Sequence, residues 1–279
     1  LIGSNSKYLL KKTQAKARMF EYDVPLEEHI VVEEEAIKLL LIAIGSLNEV
    51  SSAVIKSDEV GQLMIDQKLL SDLHFSATFF DSLITSTIDP SGDYNYFYLL
   101  GAASYYFCDY VGSSRVMLSF VDEQINVGGG GFEKGVYQIL TGSYQFDGIE
   151  PLTQFFEREI WLMVKEYFDF FKTGIFPDFK RNLQLYEKVL MEGTNRESFL
   201  CGIMIALIKK KTLNSALNLL PRYSLVPSET WKSKILDNNK LAELWPSQRK
   251  LGDFGLFQGN SGVVQMPTSS GKTTGIAIM

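Results

Sequence analysis

Apolar residues recur at helical spacing along most of the first 220 positions. Over 33–48, Ile37, Leu40, Leu41, Ile44 and Leu47 fall on one face, which predicts a helix. Glu33, Glu34 and Glu35 stand in its first turn, where negative charge suits the helix macrodipole. Leu69, Leu70, Leu73, Phe80 and Leu83 predict a second helix over 66–84. The run Asp89-Pro90-Ser91-Gly92 then signals a turn. The stretch 94–110 is aromatic-rich, and its Leu99, Gly101, Ala102 and Ala103 would let a neighbouring helix come close. Val111-Gly112 predicts a break, with Ser113 or Ser114 capping a helix that runs to about 121. The widest stripe lies in 150–172, with Phe156, Ile160, Met163, Val164, Tyr167 and Phe171. Gly174 and Pro177 stop it. Helices over 179–191 and 196–211 follow, and 215–220 adds a short turn before Pro221.

The pattern changes near the carboxyl end. Gly262-Val263-Val264-Gln265-Met266 is the first β-prone run. Pro221, Pro227 and the polar stretch 233–240 suit a linker. The expected organisation is a helical accessory domain over 1–220, a linker or edge segment over 221–240, and a further unit over 241–279. No internal repeat of fixed period is visible.

Composition narrows the function classes. The chain has 279 residues, 46% apolar and 22% charged, which is globular and not disordered. Two cysteines, Cys108 and Cys201, exclude a disulfide framework and a zinc ribbon. Two histidines, His29 and His74, leave little for a His-based metal site or catalytic relay. All four read as structural residues. Uninterrupted apolar runs fall short of the about 18 residues a membrane span needs, and no signal peptide is visible. The expectation is a cytoplasmic protein without membrane contact.

Charge is uneven. Residues 1–171 hold 12 Lys and Arg against 25 Asp and Glu, a balance of −13, and residues 172–279 hold 15 against 8, a balance of +7. The acidic part is a poor grip for phosphates. The basic part could face a polyanion. Lys209-Lys210-Lys211 ends one predicted helix; it could touch nucleic acid, or simply complement a helix C-terminus. Gly128 to Gly131 could cradle a phosphate, but no Lys-Ser/Thr follows, so it reads as a connector.

Candidate chemistry is concentrated in Met266-Pro267-Thr268-Ser269-Ser270-Gly271-Lys272-Thr273. The pattern of a phosphate-binding loop is Gly, four residues, then Gly-Lys-Ser/Thr. Gly271, Lys272 and Thr273 fit it, and Met266 stands where the first glycine belongs. Gly271 would permit a tight bend, the amides of 269–273 would form an anion site at a helix N-terminus, Lys272 would reach the β- and γ-phosphates, and the Thr273 hydroxyl would hold Mg²⁺. Upstream, Gln248 could pair with both N6 and N7 of adenine. Trp245 could stack on a base or serve as an ordinary core aromatic.

These residues resemble the opening of the first RecA-like domain of a superfamily 2 helicase. Trp245-Pro246-Ser247-Gln248 looks like its adenine-recognising element, and Pro267-Thr268-Ser269-Ser270-Gly271-Lys272-Thr273 like its motif I. Met266 in place of the first glycine is similar to the Ski2-like subgroup. Gly101-Ala102-Ala103 with Gly112-Ser113-Ser114-Arg115 resembles the helical N-terminal region of DExH helicases in bacterial anti-phage defence, the Hachiman type among them, which work with a nuclease partner. The resemblance implies an α/β RecA-like P-loop domain beginning, truncated, after the helical region. ATP and Mg²⁺ would meet Trp245, Gln248, Thr268, Ser269, Ser270, Gly271, Lys272 and Thr273. DNA or RNA would be held by parts beyond this segment, and a nuclease or other protein would dock on the helices. No Asp-Glu-x-His follows motif I in the sequence, so the expectation is a fragment that does not turn over ATP alone. The competing expectation is a helical interaction scaffold with an incomplete P-loop, favoured by the acidic, aromatic-rich first part.

Overall fold

The computed structural model describes residues 4–32, 36–57, 66–85, 93–121, 131–143, 156–236, 242–266 and 271–278. The expectations for the acidic first turn at 33–35, the turn at 89–92, the glycines at 128–130 and the residues at 150–155 fall outside them.

The first nine helices are α1 Ser4–Glu21, α2 Ala36–Lys56, α3 Gln67–Thr85, α4 Tyr94–Phe107, α5 Val111–Leu118, α6 Phe132–Thr141, α7 Glu157–Thr173, α8 Phe179–Glu192 and α9 Asn195–Leu213. They share one apolar core running from Leu9 to Ile208. At its centre stands α9, buried without interruption from Leu200 to Thr212. A helix surrounded by protein needs no polar face. It starts on a capping box: the Glu197 amide donates to Thr194 Oγ1 at 3.2 Å, and the Thr194 amide donates to Glu197 Oε2 at 2.7 Å.

The small residues of α4 do what their size predicts. A Cβ on Gly101 would lie 2.4 Å from Met117 Cε and 3.2 Å from Phe80 Cβ, so α3 and α5 reach the α4 backbone. Phe79, Phe80 and Phe107 are fully buried around it. By length and composition, Leu39–Lys56 in α2 could cross a membrane. In this fold its stripe Leu39, Ala43, Leu47, Val50 and Val54 is buried in the core.

Two local expectations are corrected. The helix after α4 begins at Val111, before either serine, and Gly112 lies inside it. The break comes earlier, at Asp109, which turns the chain with φ +67°. Asp tolerates that left-handed conformation better than most residues. The helix expected over 33–48 does not stop there: α2 runs through Gly45, where one exposed glycine costs only about 1 kcal/mol, and on to Lys56.

Polar groups close both ends of the bundle. At one end Arg196, near the start of α9, donates to Asp93 Oδ2 at 2.6 Å and Glu133 Oε1 at 2.7 Å. Asp93 is the N-cap of α4 and Glu133 lies in the first turn of α6. At the other end the Lys209 ammonium donates to Ile55 O at 2.9 Å and to Ser57 O, Lys210 to Phe107 O at 2.8 Å and Tyr106 O at 3.1 Å, and Lys211 to Leu140 O at 3.5 Å. These carbonyls end α2, α4 and α6. So α4, α6 and α9 run parallel, with like dipole ends side by side, and opposite charges offset each set of ends. The lysine run complements the C-termini of three neighbouring helices, and all three residues are buried. The nucleic-acid reading of this run is overturned, because no ammonium is left on the surface.

The remaining helices are α10 Ala216–Ser224, α11 Ser228–Leu236, α12 Pro246–Asp253 and α13 Lys272–Ile278. Their core is a second, smaller cluster: Ala216, Leu220, Ile235, Leu244, Leu251, Phe257 and Ile278. Helices α10 and α11 occupy most of the stretch expected to be a linker. Among the described residues the protein is helical with no strand; one isolated bridge joins Ser215 and Glu243. The strand expected over 262–266 is irregular, with Val263 fully exposed. Strand conformation needs a neighbouring ladder for its backbone groups, and the described residues supply none.

Candidate functional site

Helix α12 starts on Pro246, whose fixed φ suits a first helical position and whose missing N–H is not needed there. Trp245 precedes it in extended backbone. Three residues into the helix, Gln248 turns back and its Oε1 accepts from the Trp245 amide at 2.9 Å. Its Nε2 donates to Gly271 O at 3.1 Å. Gln248 is 3% exposed, and each end of its amide makes one bond inside the site. Through these two bonds it ties α12 to the bend that opens α13.

That bend requires glycine twice over. Gly271 has φ +81°, and a Cβ there would lie 2.6 Å from Gln248 Nε2 and 3.6 Å from Trp245 Cε3. Its carbonyl accepts from the Gly275 amide at 2.9 Å, closing the first turn of α13. Lys272 and Thr273 follow immediately and are exposed. Their amides stand in the first turn of a helix, where no intrahelical carbonyl faces them. Thr268, Ser269 and Ser270 lie outside the described residues.

Close contacts seat α12 between two other helices. A Cβ on Gly252 would fall 2.3 Å from the Tyr223 ring of α10, and one on Gly275 would fall 2.9 Å from Leu251 Cδ1. A cavity of about 700 Å³ opens beside α12, lined by Pro246, Lys250, Phe254, Leu256 and Val263 among others. Neither Lys272 nor Thr273 lines it.

The helical body reaches into this site through residues that the motif pattern does not single out. The Arg115 guanidinium of α5 lies 5.3 Å from the centre of the Trp245 ring. Arg249, next to Gln248, donates to Asp109 Oδ2 at 2.9 Å, and Asp109 Oδ1 meets the Lys210 ammonium at 2.8 Å. Glu243 accepts from the Tyr106 hydroxyl and lies 3.6 Å from the Lys211 ammonium. Burial raises the Asp109 carboxyl, but Lys210 and Arg249 outweigh it and hold the group below its ordinary value. Burial pushes the Lys210 and Lys211 ammonium groups down, against the pull of Asp109 and Glu243 respectively. The backbone adds two bonds, Leu244 N to Asn214 O at 3.0 Å and Ala216 N to Ala242 O at 3.1 Å.

The residues outside the motif keep structural surroundings. His29 Nε2 donates to Val24 O at 2.8 Å, and His74 lies against the Tyr110 ring. Cys108 donates to Leu70 O, and burial pushes its thiol up to about 12. Cys201 is buried, and burial raises its thiol as well. No group of three His, Cys, Asp or Glu able to hold a metal exists among the described residues. Comparison of the chain with protein-family models, with curated proteins and with solved structures finds no match.

Proposed function

We propose that this chain carries the helical accessory region and the nucleotide-binding opening of an ATP-dependent helicase or translocase of the Ski2-like type. In this reading 241–279 begin a RecA-like domain, and the protein serves cytoplasmic anti-phage defence with a nuclease partner. The observation that carries it is the bend at Gly271: left-handed glycine, buttressed by Gln248, opening a helix on exposed Lys272 and Thr273.

The residues fit the group they would hold. The Lys272 ammonium would neutralise the charge of the terminal phosphates, and the Thr273 hydroxyl would meet Mg²⁺. Bound ATP supplies the phosphoryl-transfer chemistry. Gln248 holds the bend at its observed geometry, and Trp245 forms one wall beside it. DNA or RNA would be gripped by further parts, and the helical region would dock the protein partner.

Replacing Lys272 by Ala in the complete protein should abolish ATP hydrolysis while leaving the helical circular-dichroism spectrum unchanged, because this side chain is exposed. Hydrolysis by Lys272→Ala at the wild-type rate would overturn the reading. A helical interaction scaffold is the second reading, favoured by the exposed apolar Ile175, Leu190 and Met191 at and before α8.

A further inference from the structure

The segment that frames the Gly271 bend is anchored from outside itself. Arg249 adjoins Gln248 in sequence, and its partner Asp109 belongs to the turn after α4. Asp109 is one of three described non-glycine residues held at positive φ. It stands between Arg249 and Lys210, whose ammonium also takes the last carbonyls of α4. Glu243, two residues before Trp245, is fixed in the same way by Tyr106 and Lys211. The Trp245–Gln248 segment is therefore gripped on both flanks by charges rooted in the buried lysines of α9. Arg115 closes over the Trp245 ring between them.

We propose that Asp109 and Glu243 are positioning residues for the nucleotide site. They fix Trp245 and Gln248 against the helical body, so the body sets the affinity at Gly271, Lys272 and Thr273. This inference rests on the nucleotide reading of that bend. A partner that shifts the turn at Asp109 would change nucleotide affinity without touching the nucleotide.

The test is Mg·ADP titrated calorimetrically into the full chain. Asn tolerates the left-handed backbone at 109, so Asp109→Asn removes the charge and spares the turn. It should weaken Mg·ADP binding roughly tenfold, the scale of coupling within one charged network, and shift the indole N–H resonance of Trp245. Arg249→Lys, which keeps the charge and loses the fork, should recover part of the affinity lost in Arg249→Met. If Lys272→Ala loses binding while Asp109→Asn and both Arg249 variants bind like wild type, the positioning inference is overturned and the nucleotide reading stands. If the wild type does not bind Mg·ADP, or Lys272→Ala binds it equally well, the nucleotide reading fails and takes this inference with it.

Discussion

The helical body and the carboxyl-terminal helices are held by different forces. From α1 to α9 the body shares a continuous apolar core, and its buried charges sit at helix ends. The α10–α13 unit has seven buried apolar residues as its core. Its candidate site is fixed by an amide, two glycines and ion pairs that reach into the body. Apolar burial is broad and tolerant in direction. Hydrogen bonds and ion pairs fix particular groups in particular places. The body therefore supplies stability, and the small unit spends polar contacts on geometry.

Core truncation should separate the two most sharply. Phe79→Ala in the body should cost about 3–5 kcal/mol and lower the melting temperature of the whole protein. Leu251→Ala should leave the amides of α9 protected from hydrogen exchange while those of α12 open. Equal loss of protection in α9 would show that the two regions unfold as one.

Lys210→Met tests the shared end of the bundle. It leaves the Tyr106 and Phe107 carbonyls without their buried donor and should cost about 3 kcal/mol in chemical denaturation. A variant as stable as wild type would mean the lysine run fills space without offsetting helix ends.

The smallest effect expected is with pH. The Asp109 carboxyl titrates below its ordinary value of 3.8 in the folded protein. Its contribution is then complete above that ordinary value and is lost as pH falls through the lowered one. The stability gap between wild type and Asp109→Asn should stay level from neutrality down to about pH 4 and narrow below it. A gap that does not vary with pH would remove the ionic part of this anchor.

Much of the helical body is legible in the sequence, because a 3.6-residue apolar stripe is a local signal. It places α3, α8 and α9 to within about two residues. Helix α9 is legible as a helix but not as the central one, since burial on all sides depends on what surrounds it. The lysine run shows the same limit: its sequence leaves a nucleic-acid contact and a helix C-terminus both open, and only the convergence of α2, α4 and α6 turns all three cations inward. At the candidate site the Gly271-Lys272-Thr273 bend is legible as a motif. The commitment of Gln248 to Gly271, and the roles of Asp109, Arg115 and Glu243, depend on contacts between residues more than a hundred positions apart or across a bend. No spacing rule carries those. Residues 262–266 fail for the converse reason: β-propensity is a preference for a pleated, half-buried surface, and among the described residues no strand stands beside them.

The most direct test of the account is a titration of the isotopically labelled protein with Mg·ADP, following backbone amide resonances. The account predicts the largest shifts at Gly271, Lys272 and Thr273, with smaller ones at Trp245 and Gln248. Shifts confined to the cavity beside Phe254 and Val263, or none, would contradict it.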